Sequence, residues 1–153
     1  MSKNPDLDLL IRDASPIKAY GNQVWYVASP YSHPDPEVQH MRAETMKYVV
    51  AGMINMFREY DIIPFSPVLY TVPLADHCVP VRGWYQFDFH LLARCDKMKV
   101  IQLDGWAESQ GVALETAFAL GHNIPVDYCD PILYLTKAPK TVKAFALRKE
   151  EDG

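Results

Sequence analysis

A short apolar run, Gln23–Ala28 (QVWYVA), leads through a proline-rich turn into a long helical pattern, and this alternation constrains the fold more than any other feature. Residues 29–36 contain three prolines and read as a loop. Beyond it Val38, Met41, Thr45, Tyr48, Val49, Gly52, Met53 and Met56 recur at spacings of three and four. That period predicts an amphipathic helix over 37–60, opening at Asp35 or Pro36. A second, shorter strand is expected at 61–65, broken by Pro64. Trp84, Phe87, Leu91 and Leu92 mark a further helix over 84–95, and 98–103 reads as a third strand. Ser109 is a suitable N-cap for a helix running to Leu120 and closed by Gly121. A fourth strand is expected at 124–128 and a fifth at 132–135.

Strands that alternate with helices predict one α/β domain. The expected architecture is three-layer, Rossmann-like or flavodoxin-like, with a mostly parallel sheet of about five strands. Its core spans about 23–135, with 1–21 and 137–153 peripheral. The stretch 66–83 contains prolines and reads as a long irregular segment of the kind that often carries function.

The chain has 153 residues, with 15 Lys plus Arg against 19 Asp plus Glu, giving a formal charge of −4. A chain of this size buries roughly 68–70% of its unfolded surface, so its core needs neither disulfides nor metal. No 18-residue apolar run predicts a membrane span. The polar, acidic stretch from Met1 to Asp13 does not resemble a secretory signal, so a cytoplasmic location is expected. No basic block suits a nucleic-acid polymer. Cys78, Cys95 and Cys129 are odd in number and fit no zinc spacing, and the five His form no HxxxH or HExxH arrangement. Three reduced thiols and no metal site are expected.

In a parallel sheet, ligands bind beyond the carboxyl ends of the strands. Two loops fall there. The first, Ala28–His33, offers Ser29, Tyr31, Ser32 and His33 but no glycine, so it is neither a Walker loop nor a GxGxxG turn. The second runs from Asp104 into the helix at Ser109. Ser109 and the amides after it form a ready anion site, and Gly111 admits close approach to the first turn. Glu115 sits among small and apolar neighbours, where a carboxylate is costly to bury. It is either a working carboxylate aimed at the mouth of the sheet or an exposed helix glutamate. Asp88 lies among Trp84, Tyr85, Phe87 and Phe89, a setting that raises a carboxyl pKa and suits a general acid. The alternative is a solvent-facing Asp. Asp96 and Asp104, flanking the third strand, are weaker candidates. Trp84 and Trp106 have the chemistry to stack on a base.

The run Ser109-Gln110-Gly111-Val112-Ala113-Leu114-Glu115 resembles the signature of the nucleoside 2-deoxyribosyltransferase-like superfamily. The resemblance extends over about Val24–Asp130 and takes in the Ser-containing first loop, Asp88 in the helix before the third strand, and the exit through 119–126. The opening Ala28-Ser29-Pro30-Tyr31-Ser32-His33-Pro34 is closest to a small bacterial and phage subgroup whose function is generally left unassigned. The resemblance implies Glu115 as nucleophile on the anomeric carbon and Asp88 as acid/base carboxylate. It implies Ser109 and Gly111 at a 5′-phosphate, and Ser29, Tyr31 and Ser32 along the sugar and base pocket. It also implies no metal, no organic cofactor and a homo-oligomer, dimer or tetramer. The family's hydrolase branch carries an Arg and paired glycines where this chain has Tyr31, Ser32 and His33. Arg42 and Arg82 are the candidates to supply that charge.

The expected activity is cleavage of the N-glycosidic bond of a nucleoside or nucleoside 5′-monophosphate, with 2′-deoxy substrates favoured, as hydrolase or deoxyribosyltransferase. The rival expectation is a non-catalytic module binding a nucleotide or nucleotide-derived signal on the same fold.

Overall fold

A computed structural model describes residues 6, 23–57, 62–78 and 84–148. The expected lead-in (Asp6 apart), Arg82 and the last residues of the tail lie outside the described residues. The elements are β1 (Gln23–Ala28), α1 (Pro36–Phe57), β2 (Ile62–Phe65), α2 (Pro67–Ala75), α3 (Trp84–Leu92), β3 (Lys97–Ile101), α4 (Gln110–Gly121), β4 (Val126–Cys129) and α5 (Lys140–Leu147). Short 3-10 turns fill Trp106–Glu108 and Pro131–Tyr134.

The four strands form one parallel sheet in the order β2-β1-β3-β4. Tyr26 pairs with Phe65 on one side and Met98 on the other, and Val100 pairs with Tyr128. The chain leaves β1 outward to β2 and then crosses back to β3 on the opposite side. The connections therefore diverge between β1 and β3, which opens a crevice at their carboxyl ends.

Strand β1 is buried on both faces, as expected for a parallel sheet covered by helices. Its pleat sends Trp25 and Val27 toward Met46, Val49 and Met53 of α1 and Val142 of α5. Tyr26 and Ala28 go the other way, into a cluster with Leu92 of α3 and Val112 and Ala119 of α4. The result is a three-layer Rossmann-like α/β domain. Each of the Val, Leu and Met side chains among these contributes about 1.5–3 kcal/mol when fully buried. Helix α1 seats closely on the turn after β4 because Gly52 has no Cβ, which would collide with the Tyr134 carbonyl oxygen.

Four features depart from the sequence expectations. The expected fifth strand is the 3-10 turn Pro131–Tyr134, so the sheet has four strands. Asp130 Oδ1 accepts a hydrogen bond from Ile132 N at 3.0 Å and Pro131 starts the turn, so the local chemistry favours a cap over a ladder. Pro64 does not break β2, because β2 lies at the sheet edge, where a missing N–H is tolerated. The stretch after Ser66 is not all irregular. Ser66 Oγ accepts from Leu69 N at 3.3 Å and Pro67 occupies the first turn, which together start α2. Finally, residues 138–147 are not peripheral: Ala138 and Val142 are buried, and α5 packs on α1.

Among the described residues, no helix is long and apolar enough to cross a membrane. None of them forms a group of three or more His, Cys, Asp or Glu able to hold a metal ion. Cys78, Cys95 and Cys129 carry free thiols, and burial pushes that of Cys95 up to about 11.

Candidate functional site

The crevice between β1 and β3 widens into a cleft of about 610 Å³, within the usual range for small-molecule sites. Its walls come from the loop after β1 (Ser29, Tyr31, Ser32), one face of α2, the start of α3 (Trp84, Tyr85, Asp88) and the first turns of α4 (Ser109, Gly111, Glu115). Of the nine residues given catalytic or substrate-contacting roles from the sequence (Ser29, Tyr31, Ser32, Trp84, Asp88, Trp106, Ser109, Gly111 and Glu115), eight therefore line one cavity.

Trp106 does not. Gly105 adopts a left-handed φ of 87° and turns the chain into the 3-10 turn, whose first amide bonds the Leu103 carbonyl at 3.0 Å. The indole is carried away from the cleft and packs on Tyr128, with ring centroids 5.4 Å apart. Trp106 is thus a packing residue at the edge of the sheet.

Ser109 caps α4 as expected. Its backbone is extended and its Oγ accepts from Val112 N at 3.3 Å. The amides of Gln110 and Gly111 lie in the first turn, where no intrahelical partner exists, and both residues line the cleft. A Cβ on Gly111 would lie 3.9 Å from Ser109 Oγ, 3.9 Å from Glu115 Oε1 and 3.8 Å from the Tyr85 ring. The Glu115 carboxylate therefore leans back over the turn that precedes it, as helical side chains do. This lean brings it from the buried flank of α4 to the mouth of the sheet.

Glu115 is only 6% exposed, and its Oε2 has no hydrogen-bond partner. Burial pushes its pKa up to about 8, and the charge of Asp88 adds to the rise. The Tyr26 hydroxyl, on the facing side of β1, pulls the other way. It stands close enough to bias the carboxyl but does not complete a hydrogen bond with it. The Tyr26 phenol is itself pushed far above its usual range by burial and by the two carboxylates. Asp88 is half-buried, its Oδ1 also lacks a partner, and burial raises it to about 6. Ser29, 7% exposed, presents a third unpartnered oxygen. Buried polar atoms are ordinarily satisfied within the protein. Unpartnered oxygens on three residues that line one cleft are instead available to a ligand.

Arg42 is not an anion ligand in this arrangement. It rises from α1, is 5% exposed, and donates through Nη1 to the Ser32 carbonyl at 2.8 Å and through Nη2 to the Asp104 carbonyl at 2.9 Å. A longer contact of 3.4 Å reaches the Tyr31 carbonyl. The guanidinium thus ties the loop after β1 to the loop after β3 and fixes the width of the cleft. Neither of the weaker carboxylate candidates is among the residues that line the cleft. Asp96 Oδ2 accepts from Val24 N at 2.8 Å, and Asp104 offers its backbone carbonyl to Arg42. In the first loop, His33 Nδ1 accepts from Asp35 N at 2.9 Å and stabilises the turn.

Sequence reasoning missed Tyr26, Tyr85, Glu108 and the wall built by α2 and its C-cap, which contributes Val68, Thr71 and Asp76 among others. The pair Ser66-Pro67 was the available signal for α2. Nothing local marks Tyr26, whose place follows from which face of the sheet it shares with α4. Asp76, Asp88, Glu108 and Glu115 give the cleft an acidic lining, with no Lys, Arg or His among its described lining residues.

Residues 23–130, more than half of the chain, match the model of the family described as domain of unknown function DUF1937. The chain belongs to that family. The DUF1937 span contains all four strands and every cleft residue named above, and leaves α5 outside it. No curated protein matches the chain.

Proposed function

We propose that this protein cleaves the N-glycosidic bond of a nucleoside or nucleoside 5′-monophosphate, with 2′-deoxy substrates favoured, as a hydrolase or a deoxyribosyltransferase. One observation carries the reading: two carboxyls raised by burial, each with an unpartnered oxygen, face the same cleft, and the charge of Asp88 raises Glu115 further. The likeness of the Ser109–Glu115 run to the nucleoside 2-deoxyribosyltransferase-like superfamily supports the roles. Glu115 attacks C1′ of the sugar. The C1′–N bond breaks, its electron pair passes to the base nitrogen, and the Asp88 carboxyl donates a proton there. Water, or the nitrogen of a second base, then attacks C1′. The bond between C1′ and Glu115 breaks, and Asp88 takes up the proton.

Two interacting carboxyls titrate as a pair. Between about pH 6 and 8 this pair holds one proton. In the empty cleft the more buried Glu115 holds it. Positive charge developing on the sugar ring favours the arrangement with Glu115 ionised and Asp88 protonated. The profile of kcat/KM against pH is therefore expected to be bell-shaped, with limbs near 6 and 8.

The deciding experiment incubates the protein with pooled nucleosides and nucleoside monophosphates and measures free base by chromatography. Glu115→Gln is expected to abolish release while keeping the far-UV circular dichroism of the parent. Asp88→Asn is expected to slow release most for poor leaving groups. Base release unchanged in Glu115→Gln would overturn the mechanism. One observation favours a second reading, a nucleotide-binding module without turnover: burial keeps Glu115 protonated at neutral pH in the empty cleft. Thermal stabilisation by a nucleoside with no base released over hours would decide for it.

A further inference from the structure

We propose that the cleft selects nucleosides whose base carries a fixed positive charge, such as a pyridinium or an N-alkylated purinium. This rests on the reading of the cleft as a nucleoside site and narrows its substrate class. Four carboxyl-bearing residues from separate parts of the chain line the cavity: Asp76 at the C-cap of α2, Asp88 of α3, Glu108 of the 3-10 turn and Glu115 of α4. No basic side chain is among its described lining residues. The guanidinium of Arg42 is engaged by the Ser32 and Asp104 carbonyls behind the two loops. At the floor, Glu115 is 6% exposed with Oε2 unpartnered, and Ser29 Oγ beside the cavity is unpartnered too.

A neutral base entering this cleft would remove the remaining water from Glu115 and supply no counter-charge, which penalises the ionised form. A cationic base supplies the counter-charge and favours the ionised carboxylate. The groups that face Glu115 are the Tyr26 phenol from β1 and Asp88 from α3, and neither brings positive charge. The walls suit a cation in a second way. Tyr31, Trp84 and Tyr85 line the same cavity, and aromatic faces attract planar cations.

The chemistry is consistent with this class. When the C1′–N bond of a cationic base breaks, its electron pair neutralises the ring nitrogen, and the base leaves without needing a proton. Glu115 forms the bond to C1′, and water later displaces it as before. Asp88 then matters for the water step and not for departure of the base.

The test uses calorimetry at pH 7 and low salt with two uncleavable probes: the carbocyclic riboside of nicotinamide, a fixed cation, and its neutral dihydropyridine form. The cation is expected to bind at least about tenfold tighter, with the gap narrowing as salt rises. Its binding is also expected to release protons, seen as a dependence of the heat on buffer, because Glu115 ionises. Asp76→Asn combined with Glu108→Gln is expected to narrow the gap. Equal or tighter binding of the neutral probe would overturn the proposal. Cation preference with no nicotinamide released from the cleavable riboside would uphold this selectivity and sink the glycosidase reading. Base release from neutral nucleosides without cation preference would do the reverse.

Discussion

Glu115 is held where its surroundings disfavour its charge, and this has a consequence for stability that is separable from activity. Its carboxyl is raised from 4.5 to about 8 by burial first, against the pull of Tyr26. Between those two pH values the native state holds the proton that the unfolded chain releases, so unfolding stability falls as pH rises through the window. The stability is fully present below about 4.5 and lost progressively up to about 8. Asp88 acts in the same direction between 3.8 and about 6. Glu115→Gln removes the charge while keeping the shape. It is expected to be neutral at pH 5 and to stabilise by on the order of 2–4 kcal/mol at pH 8.5. Urea melts of parent and variant at both pH values check this, and a variant less stable at pH 8.5 would refute it. A substitution that gains stability and loses turnover is the signature of a residue kept for function. Glu115 was legible in the sequence as a carboxylate among apolar neighbours. Its partner Tyr26 was not, because only the pleat of β1 and the seating of α4 bring the two together.

At the scale of elements, the cleft depends on a brace between loops. Arg42 belongs to α1, yet its hydrogen bonds go to the loop after β1 and the loop after β3. Gly105 lets it pass: a Cβ there would stand 2.5 Å from Arg42 Nη2, and the φ of 87° penalises any L side chain. Arg42→Met keeps the stem but strips the donors from the half-buried loop carbonyls and removes a buried charge network, and is expected to cost about 2 kcal/mol. Gly105→Ala is expected to cost about 2 kcal/mol in the parent, from the left-handed backbone and the contact together. In the Arg42→Met background only the backbone part, about 1 kcal/mol, is expected to remain. A double-mutant cycle measured by chemical denaturation would expose that coupling, and strict additivity would refute it. The resemblance singled out Arg42, with Arg82, to replace the Arg that the family's hydrolase branch carries in its first loop. Carbonyls leave no trace in residue types, so the brace was invisible. The α2 wall was obscured for a related reason. Pro67 and Pro73 read as loop punctuation, although Pro67 follows a capping Ser66 and both are accommodated within the helix.

For the whole molecule, the sheet divides two layers with different work. Helices α3 and α4 cover the face that carries Tyr26 and the cleft. Helices α1 and α5 cover the opposite face, with Val142 of α5 2% exposed in the core around Trp25 and Val27. The alternation of strands and helices made the layers legible, but sequence does not encode strand order. The order β2-β1-β3-β4, which places the crevice, became visible only in three dimensions. Nor did the Lys-rich tail announce that it returns to α1. If the layers are independent, damage to one should spare the other's function. Val142→Ala leaves a cavity in the α1–α5 layer and is expected to cost about 2 kcal/mol. For a domain of this size that lowers Tm by about 4–8 °C. Because the substitution lies across the sheet from Glu115 and Asp88, kcat/KM for base release at 25 °C is expected to stay within about twofold of the parent. Scanning calorimetry and a chromatographic assay on the same preparation test both halves. A loss of turnover approaching that of Glu115→Gln, at a temperature where the variant is still folded, would mean that the α1 layer transmits its packing to the cleft. The physical link available for that is Arg42, which springs from α1 and holds both loops.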